Sequence, residues 1–381
     1  MGKVYFTPAT GLFLKRTKRE RDHLDYGNIE RYGFSWKSFD LSWWKPNSLF
    51  QHNALLITPC YVPKEEFNPE LGKNLRDHLD PEKKLLVISD SGGSEIASRG
   101  LDIDPADVLQ FQERNADIGM IVDHPPMSFK DGTPNYSRLE FEKCLAKTKG
   151  NAEFASRNRT NYDMTLLNVL QGTVVDDFVT WYKEIHEVPL DGYAVSFKPV
   201  TDGVALARYL SFLVIEGLND KPLHVFCGTG RDTMPVVVWA SKYFPKVTFD
   251  SASYTHMGAY KLFMIPQTQT TVPVRELCTD EDPPQPCWCP VCSRVPFEEY
   301  LKDTDMSRKY LALHNLHQYI SYFTALKAFR TKHDEFFSLL SATGAQQAIE
   351  SVETFERCIA QSDIHSGEKK THSMNNIWGC I

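Results

Sequence analysis

The sequence predicts an α/β fold, a (β/α)8 (TIM) barrel, on three observations. Short apolar runs alternate with helical patterns, about eight times over roughly 250 residues. Several of these runs are continuously apolar rather than alternating, as expected of strands covered on both faces. The Gly-rich first turn that would mark an open, doubly wound sheet does not occur.

The elements follow in order. Residues 1–50 are rich in Trp, Phe, Tyr and charge, show no clear period, and read as a cap on the barrel bottom or a small hairpin. Candidate strands lie at Ala54–Thr58, Leu85–Ser89, Ile118–Val122, Thr165–Leu170, Tyr193–Phe197, His224–Cys227 and Val247–Phe249, with a last one at Lys261–Ile265. Asp104 can N-cap a helix that carries Pro105 at its first position and runs through Val108, Leu109 and Phe111. Helical spacing recurs at Tyr136–Lys149, Val204–Leu218 and Met234–Tyr243. From Glu276 to Arg294 the chain turns loop-like around Pro283, Pro284, Pro286 and Pro290, and helical pattern returns from Ser307 to about Leu340. The polar stretch from Gly367 closes the chain. This organisation divides it into a barrel with an irregular N-terminal cap (1–275), a cysteine-bearing segment with helices packed on the barrel (276–345), and a C-terminal helix with a polar tail (346–381).

Composition narrows the function classes. No apolar run approaches the roughly 18–20 residues of a membrane span, and the N-terminus has no signal-peptide pattern, so a cytoplasmic protein is expected. Nine cysteines in a chain of this size do not read as a disulfide scaffold. Six of them (Cys60, Cys144, Cys227, Cys278, Cys358, Cys380) are scattered and read as small buried hydrophobes. The net charge of −7 argues against indiscriminate nucleic-acid binding. It leaves room for local basic faces at Lys15–Arg21, Lys147–Arg159 and Lys327–Lys332.

Polar residues at predicted strand ends carry the chemistry. Leu85–Ser89 ends in Asp90, Ile118–Val122 in Asp123, Thr165–Leu170 in Gln171, and Val247–Phe249 in Asp250. The C-terminal ends of all strands of such a barrel converge on one mouth. A single Asp after a strand is usually a turn or cap residue; four polar closures in register are a candidate pocket. Ser91, Gly92 and Gly93 follow Asp90 as a small-residue turn that lets a flat ligand approach the backbone. Asp and Gln together can read a purine edge. A further carboxylate can attack a sugar carbon, and residue types alone admit a glycosidase as well. Separately, Cys287, Cys289 and Cys292 crowd into six residues, followed on a helix by His314 and His317. Three Cys and one His make the closed set of a structural zinc site; spacing leaves the choice of histidine open.

These residues resemble the tRNA-guanine transglycosylase family. Ser89-Asp90-Ser91-Gly92-Gly93 looks like its Asp-Ser-Gly-Gly motif, Asp117-Ile118 leading to Asp123 its second base-recognition strand, and Leu170-Gln171-Gly172 its Gln-Gly motif. Asp191-Gly192-Tyr193-Ala194, Gly228-Thr229-Gly230 and Phe249-Asp250-Ser251 follow in the family's order. The Cys-x-Cys-x-x-Cys run followed by Leu313-His314-Asn315-Leu316 resembles its zinc site, which makes His314 the ligand. The resemblance implies that Asp250 is the nucleophile and Asp90 the proton shuttle. Asp123 and Gln171 would hold the base, with Ser91, Gly92, Gly93, Ser196 and Phe197 around it. It further implies a structural Zn2+, a 7-deazaguanine (preQ0/preQ1-type) as incoming base, and a homodimer.

The departures bear on the substrate. Ser196-Phe197 stands where the family has Gly-Gly, and Ser94 where it has an aromatic residue. After the nucleophile the family's tRNA enzymes carry Pro-Thr-Arg and a further Arg, whereas this chain reads Tyr254-Thr255-His256-Met257-Gly258-Ala259. Arginine forks are hard to replace in phosphate and base recognition. The sequence therefore leads to an expectation of base exchange on DNA, with a tRNA enzyme as the alternative and a catalytically silent partner subunit as a further one.

Overall fold

A computed structural model of the chain describes residues 2–10, 43–45, 48–61, 75–80, 82–126, 129–130, 133–134, 136–196, 202–277 and 287–365. Phe197, the basic run Lys15–Arg21, Cys278, Cys380, most of the expected N-terminal cap and the tail from Gly367 lie outside the described residues.

Eight parallel strands form the barrel: β1 (Lys3–Pro8), β2 (Ala54–Ile57), β3 (Leu86–Ser89), β4 (Ile118–Met120), β5 (Thr165–Gln171), β6 (Gly192–Ser196), β7 (Leu223–Val225) and β8 (Lys246–Ser251). Each pairs with the next, β8 pairs with β1 in register Thr7↔Asp250, and β1 reaches β2 through the parallel bridge Ala9↔Leu56. The backbone N–H of Thr10 also donates to the Leu56 carbonyl at 3.0 Å. The circle is thereby closed.

Seven strands coincide with the apolar runs of the sequence. The eighth does not: it is Lys3–Pro8, and the run at Leu262–Met264 instead forms a two-stranded antiparallel ribbon with Thr271–Pro273 outside the barrel. The reason lies in burial. Val4 and Phe6 are fully buried, and Phe6 stacks on Phe249 of β8 at 5.4 Å between centroids.

The helices that cover the sheet are α1 (Leu75–Leu79), α2 (Gly93–Arg99), α3 (Pro105–Asn115), α4 (Arg138–Asn158), α5 (Val175–Ile185), α6 (Gly203–Ile215), α7 (Met234–Ala240), α8 (Ser253–Ala259), α9 (Phe297–Leu301), α10 (Asp305–Phe329), α11 (His333–Ala342) and α12 (Gln346–His365). Local chemistry starts them where the sequence suggests. The Asp104 carboxylate caps α3 by accepting from Ala106 N–H at 2.8 Å, and Ser137 caps α4 through Glu140 N–H at 3.1 Å. The pattern from Ser307 to Leu340 is two helices, α10 and α11. α10 covers β1 and β8, with Phe323 edge-on to both Phe6 and Phe249.

The foot of the barrel is held by carboxylates that precede strands. Asp117 accepts from Val87 N–H and from Arg76, at 2.8 and 2.9 Å. Asp191 accepts from Leu166 N–H at 2.8 Å and pairs with Arg159 at 2.7 Å. These bonds tie neighbouring strand starts together, a stabilising role at the face where barrels do not carry catalysis. No described helix is long and apolar enough to cross a membrane.

Candidate active site and metal centre

The opposite face gathers the polar strand ends. Asp90 follows β3, Asp123 lies three residues beyond β4, Gln171 ends β5, Ser196 ends β6 beside it, and Asp250 sits in β8. Asp123, Gln171, Asp250 and Ser91 are all buried at 6 % exposure or less. Buried polar groups need partners, and Ser91, Asp123 and Gln171 supply one another. Ser91 Oγ donates to Asp123 Oδ1 at 2.8 Å, and Gln171 Nε2 donates to Asp123 Oδ2 at 2.5 Å. Both oxygens of Asp123 are thus held from neighbouring strands, with the carboxylate lying over the start of α2.

Two glycines make this approach possible. Gly92 has φ +90°, a conformation side chains rarely adopt, and a Cβ on Gly93 would stand 2.2 Å from Asp123 Oδ1. The turn after β3 therefore has to be built of glycine for Asp123 to occupy its place.

Asp90 accepts from Ser91 N–H at 2.7 Å and from the Thr58 hydroxyl at 3.4 Å. Burial, and after it the charges of Asp123 and Asp250, push its carboxyl up from the usual carboxylate range to about 7. Burial also raises Asp123, partly offset by the bonds from Ser91 and Gln171. A carboxyl poised near neutrality with a second carboxyl beside it is a pairing suited to acid–base chemistry.

Asp250 is gripped from β7. Cys227 N–H donates to its Oδ1 at 2.8 Å, and His224 Nε2 approaches the same oxygen at 3.3 Å. Neither His224 nor Cys227 stands out as a site residue in the sequence. The available signal is a histidine inside an otherwise apolar strand. Tyr254, where the resemblance draws attention to missing arginines, is fully buried against Trp43, and its hydroxyl donates to the Ala9 carbonyl.

The cysteine loop folds against α10. Ligand atoms of Cys287, Cys289, Cys292 and His314 all lie within 4.8 Å of one another, a set that can hold a metal ion. The side-chain chemistry fits. His314 Nε2 lies 2.9 Å from the Met264 carbonyl, which only accepts, so Nε2 carries the hydrogen. Nδ1 then turns its lone pair to the sulfurs, 3.2 Å from Cys292 and 3.4 Å from Cys289. Gln318 Nε2 and the Tyr300 hydroxyl donate to Cys287 and Cys292 sulfur at 3.4 and 3.5 Å, which favours thiolates. His317 stands apart, against Phe50 and Ser321, so geometry selects His314.

Fold and site together define a barrel protein with paired aspartates at its mouth and a Cys3His cluster on its flank. The family described as Queuine tRNA-ribosyltransferase matches residues 89–346. The chain belongs to this family. Among curated proteins it is similar to the tRNA-guanine(15) transglycosylase of Sulfolobus acidocaldarius, with 25% identity over 70% of this chain and 50% of that protein. It is likewise similar to those of Thermococcus onnurineus (26%; 69% of this chain, 43% of that one) and Saccharolobus solfataricus (24%; 71% and 52%). The chain spans about half the length of these relatives.

Proposed function

We propose that this chain is a guanine transglycosylase, replacing guanine in a nucleic acid by a 7-deazaguanine through a covalent aspartyl–sugar intermediate. The observation that carries this reading is the convergence of Asp90, Asp123, Gln171 and Asp250 at one barrel mouth in a member of this family. In the first step Asp250 bonds to the anomeric carbon while the carbon–N9 bond breaks. The electron pair of that bond goes to guanine, which takes the proton held by Asp90. In the second step the incoming base loses its N9 proton to Asp90 and bonds to the same carbon, and Asp250 leaves as a carboxylate. Both aspartates end as they began. Asp123 and Gln171, with Ser91 and the backbone of Gly92 and Gly93, hold the base edge; Ser196 shapes the pocket floor. A base inside a polymer has to leave its stack to arrive there.

The polymer proposed first is tRNA, because the curated relatives are named for that substrate. DNA is the second reading, favoured by one observation: α8, which follows the nucleophile, contains no arginine and exposes His256 in its place. The cysteine cluster is proposed to hold a structural Zn2+, remote from the chemistry, and the chain to act as a homodimer.

Labelled guanine offered to unmodified tRNA and duplex DNA side by side tests the proposal. We expect label in tRNA, lost at least about 10³-fold in Asp250→Ala. Label in DNA alone establishes the second reading. Label in neither polymer overturns base exchange and leaves a catalytically silent partner.

A further inference from the structure

We infer that His224 is a positioning residue for Asp250, acting through a hydrogen-bonded column that runs Thr248–His224–Asp250 up the inside of the barrel wall. The inference rests on the base-exchange reading, in which Asp250 is the nucleophile.

The register of β7 and β8 creates the column. His224 is the partner of Thr248, and Asp250 lies two residues further along on the same face. Val247 and Phe249 point the other way, Phe249 into the aromatic contact with α10. His224 is fully buried, in a position where a barrel interior ordinarily carries an aliphatic side chain. An imidazole there needs a partner for each nitrogen.

Those partners determine its tautomer. Nδ1 lies 2.8 Å from Thr248 Oγ1, whereas that hydroxyl lies 3.5 Å from the Leu223 carbonyl. In the neutral ring one nitrogen donates and the other accepts, and the carboxylate beside Nε2 decides which. Nδ1 is then an acceptor and Nε2 carries the hydrogen, aimed at Asp250 Oδ1, which as a carboxylate oxygen only accepts. The second donor to the same oxygen is Cys227 N–H, brought round by a φ of +56°, in the left-handed region that favours glycine. Two donors on Oδ1 fix the plane of the carboxylate. Neither touches Oδ2, which is left to form the bond to the anomeric carbon. The donors also stabilise the carboxylate that leaves in the second step. An aliphatic residue at 224 would fill the space without holding that plane.

The test uses the full chain and separates this role from packing. In His224→Leu we expect kcat for guanine exchange to fall about 10–100-fold, with KM for guanine unchanged because the base is held on β3, β4 and β5. His224→Gln, whose amide restores an N–H near the Nε2 position, should recover most of that loss. 15N NMR of histidine-labelled wild type should show His224 protonated at Nε2 and bare at Nδ1. A folded His224→Leu protein exchanging at the wild-type rate overturns the inference while Asp250→Ala, run beside it, still reports on the base-exchange reading. An Nδ1–H tautomer overturns it without reference to activity. If His224→Leu does not fold, Thr248→Val decides: wild-type kcat with an unaltered His224 spectrum overturns the column, and a lowered kcat with a changed spectrum supports it.

Discussion

Asp90 illustrates how an ordinary side chain acquires a special proton affinity at the mouth of the barrel. Its carboxyl is half-buried, beside two others, and is raised to about 7. The unfolded chain titrates it near about 4. Between these values the folded state holds more protons than the unfolded one, so stability falls as pH rises from about 4 to 7 and is flat beyond. Asn at this position carries no charge and escapes that loss. Asp90→Asn should therefore melt at a higher temperature than wild type at pH 8, with the difference shrinking towards pH 4. The same variant should lose guanine exchange by about 10²–10⁴-fold, the span of a removed acid–base group. Equal melting differences at pH 4 and pH 8 would show that the carboxyl is not destabilised by its surroundings. The four polar strand closures were legible in the sequence because each follows an apolar run immediately. His224 was not, because a histidine within a short strand gives no sign of which neighbour it meets until the register of β7 and β8 pairs it with Thr248.

At the scale of elements, the ribbon and the cysteine loop show why an apolar run is not yet a barrel strand. Leu262–Met264 has the composition of a strand, but Lys261 turns the chain into it with φ +58°, away from the sheet. α10 then receives it. Asn315 accepts from Met264 N–H and donates to the Leu262 carbonyl, each at 2.9 Å, so one side chain completes the ribbon edge as a neighbouring strand would. Lys261 Nζ reaches the other way, donating to the Tyr300 carbonyl at 2.8 Å, to Ser307 Oγ at 2.5 Å and to the Lys302 carbonyl. One ammonium thus joins the ribbon to both α9 and α10. Lys261→Met keeps the aliphatic stem and removes three charge-assisted bonds, and should cost about 2–3 kcal/mol in urea unfolding. A loss below about 0.5 kcal/mol would mean that these bonds merely replace equivalent ones to water.

For the molecule as a whole, the decisive features are closure of the barrel and the clamp on its flank. β1 is a strand of six residues with β8 on one side and β2 on the other, and α10 lies across β1 and β8. The same helix supplies His314 to the cysteine cluster. Metal bound there would therefore fasten the loop 287–292 to the helix that covers the closing seam. Metal analysis of the purified protein should find one zinc per chain. Its removal by a chelator should lower the melting temperature well before it affects guanine exchange in the protein that remains folded. A metal-free protein with unchanged melting would remove the structural role.

Read by itself, the sequence determined the class of fold, seven of its strands, the cap that starts α3, the polar closures of the mouth and the cysteine spacing. All of these are written in neighbouring residues, as a run of apolar side chains and the polar residue or turn that ends it. Only the tertiary structure decided that Lys3–Pro8 is the closing strand and that His224 stands under Asp250, and it turns to the sulfurs His314, the histidine that the family resemblance selects and that spacing alone leaves open against His317. Each of those depends on a partner in another part of the chain: β8 and β2 for the first strand, the cysteine loop for the histidine, and Thr248 and Asp250 for His224. Pairings at that range are set by barrel closure and packing, in which the chain buries Val4, Phe6 and Phe249 together, and local pattern carries no record of them.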